Sequence, residues 1–133
     1  TDDTYVNPSA SAGFYVNATS KKWSKHYQIH TYLTKELIEL VESSFDFVQA
    51  GVRSIAGHSM GGHGAILAAL KNPGLYRTVS AFAPLSNPAD SPKIRMYMDS
   101  LFDSNEKEIR KWNSVCLMPH YVGPPLHILV DQV

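Results

Sequence analysis

Hydrophobic positions recur along this chain with two periods. Ile29, Leu33, Leu37, Leu40 and Val41 fall near one face together with Ser44, with Ile38 and Phe45 at its border. Lys35, Glu36, Glu39 and Glu42 take the opposite side. That spacing predicts an amphipathic helix whose apolar stripe packs against a sheet. Elsewhere the apolar residues come in short runs bounded by turn residues, as in buried parallel strands. Three such runs stand out: residues 52–56, residues 77–82 closed by Ala83-Pro84, and residues 126–130, which follow the break at Gly123-Pro124-Pro125 and run into Asp131.

The stretches between them are less uniform. Ala65, Ile66, Ala68, Ala69 and Leu70 predict a helix that Asn72-Pro73-Gly74 stops. Residues 93–112 lean towards helix but show a poor apolar face, with a charged middle around Asp103-Ser104-Asn105-Glu106. Residues 1–11 and 85–92 read as loops, residues 12–19 as extended at their aromatic centre, and residues 20–26 as a turn. Residues 115–121 follow no clear pattern. Strand, helix, strand, helical stretch and strand together predict an α/β fold with parallel strands and right-handed crossovers.

One short motif carries chemistry. Gly57-His58-Ser59-Met60-Gly61 has the form G-x-S-x-G, placed where a short strand turns at once into a helix. In such an elbow Ser59 stands strained and exposed above the strand end. Gly57 and Gly61 are expected to keep Cβ atoms out of the strand–helix contact. The Met60 backbone N–H is expected to point to the oxyanion of an acyl-transfer intermediate. A structural glycine-rich turn is the alternative for the same five residues.

Composition narrows the partners. The chain has 133 residues, 12 basic against 12 acidic, and no net charge, so neither nucleic acid nor an anionic membrane is indicated. No apolar run approaches the roughly 20 residues that span a bilayer. Cys116 is the single cysteine, which excludes an intrachain disulfide and fits a reducing compartment. Asn17-Ala18-Thr19 matches the glycosylation acceptor triplet, read here as accidental.

The elbow sequence through Gly62-His63-Gly64-Ala65 resembles the S-formylglutathione hydrolase (esterase D) family. Ala12-Gly13-Phe14-Tyr15-Val16, Leu70-Lys71-Asn72-Pro73-Gly74 with Tyr76, Val79-Ser80-Ala81-Phe82-Ala83-Pro84 and Leu126-His127-Ile128-Leu129-Val130-Asp131-Gln132 are similar to it too. The resemblance implies part of an α/β-hydrolase fold, a mostly parallel sheet with flanking helices. It implies a cytoplasmic serine thioesterase that hydrolyses S-formylglutathione to glutathione and formate in formaldehyde detoxification, with side activity on small esters. No cofactor is implied, the partner is a small thioester or ester, and a homodimer is left open.

The family's proteins are about twice as long, so residues 1–133 correspond to a single partial domain. Earlier strands, with the second oxyanion donor, are expected before Thr1, and the acid and histidine after Val133. Residues 1–133 alone are accordingly expected to be inactive and poorly folded, with an open edge on the strand before Ser59. Ser59 and the Met60 N–H are the site residues the resemblance transfers. Three positions depart from the family pattern: Ser91-Pro92-Lys93-Ile94 for Cys-Pro-Trp-Gly, Trp112-Asn113 for Tyr-Asp, and Val133 for glycine. The first two are expected to weaken S-formylglutathione as a substrate relative to simple esters. They also keep open a non-catalytic homologue that binds without turnover.

The other polar candidates read as structural. In this fold class the order is serine, acid, then histidine after the last strand. His26 and His30 precede Ser59, His58 and His63 sit in the elbow and its helix, His120 precedes the third strand and His127 lies in it. Asp131 ends the strand that precedes the acid in such folds, and the resemblance puts the acid further on. No His or Cys pair beyond His58/His63 has ligand spacing, so no metal is indicated.

Overall fold

A computed structural model describes residues 13–132 of the protein. The loop expected over residues 1–11, together with Ala12 and Val133, lies outside the described residues. Three strands, Ile55–His58 (β1), Thr78–Phe82 (β2) and His127–Asp131 (β3), form one parallel sheet in the order β1-β2-β3. Gly57 pairs with Ala81, and Ala81 with Val130. The first strand starts at Ile55 rather than Val52 because the preceding residues are held otherwise. Arg53 binds both carboxylate oxygens of Glu42, at 2.6 and 2.7 Å, and its carbonyl accepts from the Arg77 N–H at 2.7 Å. Glu42, expected to face solvent alone, is thus half of a bidentate pair that holds its carboxyl below the usual range.

The helix expected over residues 29–44 forms in three parts. Ile29–Thr31 (α1) runs through a π-helical segment at Tyr32–Glu36 into Leu37–Ser44 (α2). A π-step inserts one residue, which rotates the following stripe by about 100°. No residue of α2 is buried, and Leu40 is 59% exposed. The stripe expected to pack on the sheet instead lines an open groove beside β1, where Leu33, Leu37, Ile38 and Val41 face Ile55.

Between β1 and β2 runs Met60–Lys71 (α3), buried from Gly62 to Leu70. A helix apolar all round needs partners on both sides, and this one has them. Ala65, Ile66, Ala68, Ala69 and Leu70 join Tyr76, Val79 and Ala81 of the sheet side in one core cluster. Leu67 joins a second cluster with Phe14, Val16 and the helices that follow β2. The Asn72 side chain closes the helix by donating to the Ala68 carbonyl at 2.8 Å.

Those later helices correct the expectation of a poor apolar face. Pro92–Phe102 (α4) buries Tyr97, Met98, Leu101 and Phe102, and Glu106–Arg110 (α5) buries Ile109. Asp103 and Ser104, at φ 51° and 55°, break the stretch in two. A face sought over all of residues 93–112 is averaged out by that break. Asn105 caps α5 by accepting from the Lys107 and Glu108 N–H groups. Ser114–Leu117 (α6) and a 3₁₀ turn at Met118–His120 fill the region that showed no pattern. Gly13–Tyr15 is not extended but a tight turn with Gly13, Phe14 and Tyr15 all at positive φ.

Candidate active site

Ser59 occupies the junction of β1 and α3 with φ 55° and ψ −116°, a conformation that costs a non-glycine residue about 1–3 kcal/mol. Three backbone bonds hold it there. Its N–H donates to the Phe82 carbonyl at 2.8 Å, and its carbonyl accepts from His63 N–H at 3.1 Å and Leu85 N–H at 3.3 Å. Met60 follows as the first residue of α3, where an N–H has no intrahelical acceptor. Both sequence-predicted residues therefore sit together at the carboxyl edge of a parallel sheet, the edge at which open α/β sheets bind ligands.

The close approach that makes the elbow is specific to two glycines. A Cβ on Gly57 would overlap the Gly61 carbonyl and lie 2.8 Å from the Gly62 nitrogen. A Cβ on Gly62 would lie 3.0 Å from Pro84 Cβ and 3.2 Å from the Gly57 carbonyl oxygen. Gly61, expected to share this duty with Gly57, does not: its nearest neighbour would be the Tyr15 hydroxyl at 3.7 Å. The second close contact belongs one residue later, to Gly62.

Sequence reasoning also missed Ala83. It follows β2 at φ 41°, and its N–H donates to the Asp131 carbonyl at 2.6 Å. That bond ties the end of β3 to the turn beside Ser59 through the Asp131 backbone, leaving its exposed side chain free of this role. The Ala83-Pro84 dipeptide was the available signal, since Pro84 stops the strand where Gly62 approaches it.

No histidine side chain is hydrogen-bonded to Ser59 among the described residues; His63 reaches it through its backbone N–H alone. His63 is fully buried, and its Nε2 donates to the Trp112 carbonyl at 3.2 Å, so Nε2 carries a hydrogen. His30 is buried too. The Asn72 amide nitrogen, oriented by its bond to Ala68, donates to His30 Nε2 at 3.1 Å. His30 therefore accepts at Nε2 and carries its hydrogen on Nδ1. His26, His58, His120 and His127 are exposed.

Burial first, and then the Lys71 charge, push His30 down to about 4, with the Tyr15 carbonyl opposing. Burial lowers His63 as well. Between pH 4 and the ordinary value near 6.5, the unfolded chain binds a proton at His30 that the folded chain refuses. Stability is therefore complete above about pH 6.5 and is lost as pH falls towards 4, by on the order of 2–3 kcal/mol. His30→Gln should start less stable at pH 7 yet lose less between pH 7 and 5, as read by urea unfolding. Equal losses in the two proteins would show that His30 does not carry the acid sensitivity.

Trp112 is the centre of this buried cluster. The His30 ring meets it edge-on at 5.1 Å, Phe102 stacks at 6.4 Å, and Lys71 Nζ lies 4.0 Å above it. Asn113 caps α6 by accepting from the Val115 N–H and donates to Asn87 Oδ1 at 2.5 Å. Ser91 and Pro92 open α4, and Ile94 packs in the same cluster as Met60. The departures at residues 91–94 and 112–113 thus serve helix starts and core packing. Asn17 is likewise engaged, donating to Thr31 Oγ1 at 2.7 Å and accepting from the Thr31 N–H at 3.1 Å. Among the described residues no cluster of His, Cys, Asp or Glu is placed to hold a metal, and no helix is long and apolar enough to cross a membrane.

A strained serine between a parallel strand and a buried helix places the chain among proteins of the α/β-hydrolase type of fold. More narrowly, it belongs to the Esterase family, described as "Putative esterase", whose pattern matches residues 1–127. S-formylglutathione hydrolase of Rattus norvegicus is 43% identical over 121 residues, covering 91% of this chain and 43% of that protein. The mouse (Mus musculus) protein of that name is 44% identical over the same coverage. An S-formylglutathione hydrolase structure from Agrobacterium tumefaciens superposes with a TM-score of 0.79 at 36% identity, over 87% of this chain and 42% of that one. The chain thus spans less than half the length of these relatives.

Proposed function

We propose that the complete enzyme is a serine thioesterase that hydrolyses S-formylglutathione, with side activity on small esters. The observation that carries this is Ser59, held at φ 55° and ψ −116° between β1 and α3. Ser59 Oγ attacks the formyl carbon and gives its proton to a base. The Met60 N–H is one of the donors to the resulting oxyanion. Collapse breaks the C–S bond and returns the proton to the departing glutathione sulfur. Water then cleaves the formyl–serine ester to give formate. The base and the acid that orients it are assigned to residues beyond Val133, a reading supported by the chain order of this fold and the length of the relatives. The lone Cys116 and a glutathione substrate support action in the reducing cytoplasm, in formaldehyde detoxification.

The non-catalytic alternative rested on residues 91–113, and the structure gives those residues folding roles instead. Those folding roles weigh against the expectation that simple esters are preferred. In the complete enzyme, S-formylglutathione is expected to give a larger kcat/KM than a simple aryl acetate. Absence of turnover with either substrate, together with no labelling of Ser59 by a fluorophosphonate, would overturn the assignment.

A further inference from the structure

The elbow strain needs support from both sides, and β2 supplies only one. On the other side lies Tyr15. Its side chain runs lengthwise along the first turns of α3: Cδ2 and Cγ lie 2.5 and 2.8 Å from where a Gly64 Cβ would stand, while the hydroxyl end reaches Gly61. The two glycines, three residues apart on one helix face, form the notch that admits the ring. The segment carrying Tyr15 is itself forced. Gly13, Phe14 and Tyr15 have φ of 58°, 53° and 58°. Phe14 is buried edge-on against Tyr97 at 5.3 Å, and Val16 is fully buried, its carbonyl accepting from His30 N–H at 3.4 Å. A Cβ on Gly13 would lie 2.7 Å from Tyr27 Cδ1. With both neighbours clamped in the core, the left-handed turn delivers the intervening side chain to α3.

We infer that Tyr15 is a positioning residue for the nucleophile: it presses on the Gly61–Gly64 face of α3 and thereby holds Ser59 in its strained conformation. Consecutive non-glycine residues at positive φ persist only where the surroundings over-determine them, and here that strain has one outward product, the ring on the elbow helix. This rests on the proposed serine-hydrolase function for its kinetic test, although its structural test does not.

In the complete enzyme, Tyr15→Ala should lower kcat by roughly 10- to 100-fold with KM within about twofold, the scale of a small misplacement of a reacting group. Tyr15→Phe, which keeps the ring, should stay within about threefold of the parent. Gly64→Ala expels the ring and should lose kcat like Tyr15→Ala, and the double variant should be no worse than either single one, because both remove the same contact. If Tyr15→Ala does not fold, Tyr15→Leu is read in its place. Loss confined to KM, loss within threefold, or additive losses in the double variant would overturn the inference. Were the parent to hydrolyse no ester at all, the proposed function would fall, and the inference would be decided by a crystal structure of the Tyr15 variant. Ser59 leaving positive φ supports it. Ser59 remaining near φ 55° refutes it.

Discussion

Ser59→Ala in the complete enzyme is expected to leave the fold intact and to lower turnover by on the order of 10⁴- to 10⁶-fold. The fold should survive because the elbow is held by the Ser59 backbone, through Phe82, His63 and Leu85, and the side chain makes no capping bond to α3. Alanine keeps the same Cβ, so the strain at positive φ is unchanged and the stability change should stay within about 0.5 kcal/mol. What goes is the proposed nucleophile at the edge of the sheet. The remaining oxyanion donors and binding contacts account for the residual rate. Initial rates on an aryl ester, with a thermal melt of both proteins, decide it. Activity within tenfold of the parent would make Ser59 a structural residue of a glycine-rich turn.

The second large effect falls on stability. Gly57→Ala would put a methyl group into the carbonyl of Gly61 and 2.8 Å from the nitrogen of Gly62. These are backbone atoms, and no rotamer change can move them aside. Strand and helix must separate, which breaks the packing of α3 on β1 and shifts Ser59 with it. A cost of about 3 kcal/mol or more is expected, against under about 1 kcal/mol for Gly61→Ala, where the new methyl meets ordinary van der Waals contacts at 3.7 Å. In a domain of 150–250 residues, about 3 kcal/mol lowers Tm by roughly 6–12 °C. Melting curves of the two variants test the contrast. Equal Tm values would show that the two glycines share the close contact after all.

Signals that depend on neighbours in the chain were legible. The parallel α/β order, the three strands to within a few residues, the elbow at Ser59 and the stop at Asn72 all come from spacing over a handful of positions. Signals that depend on distant contacts were not. The helix over residues 29–44 shows a clean 3.6 period in the letters, yet a π-helical segment interrupts it at Tyr32–Glu36 and no residue of α2 is buried. The stretch over residues 93–112 looked poorly apolar because its buried face is split by Asp103 and Ser104.

By itself, the sequence determined the class of fold and the position of the candidate nucleophile, because hydrophobic period and the Gly-x-Ser-x-Gly turn act through backbone geometry within a few residues. Tertiary structure alone decided the rest. Trp112 and Asn113 read as departures that bear on substrate preference, and they lie in a core cluster and at a helix cap. Gly61 read as the partner of Gly57 and yielded that place to Gly62. Tyr15 read as part of an extended segment and came to lie along α3. The physical reason is common to all three: each role is set by which surfaces meet across dozens of residues, and side-chain spacing along the chain does not encode that meeting.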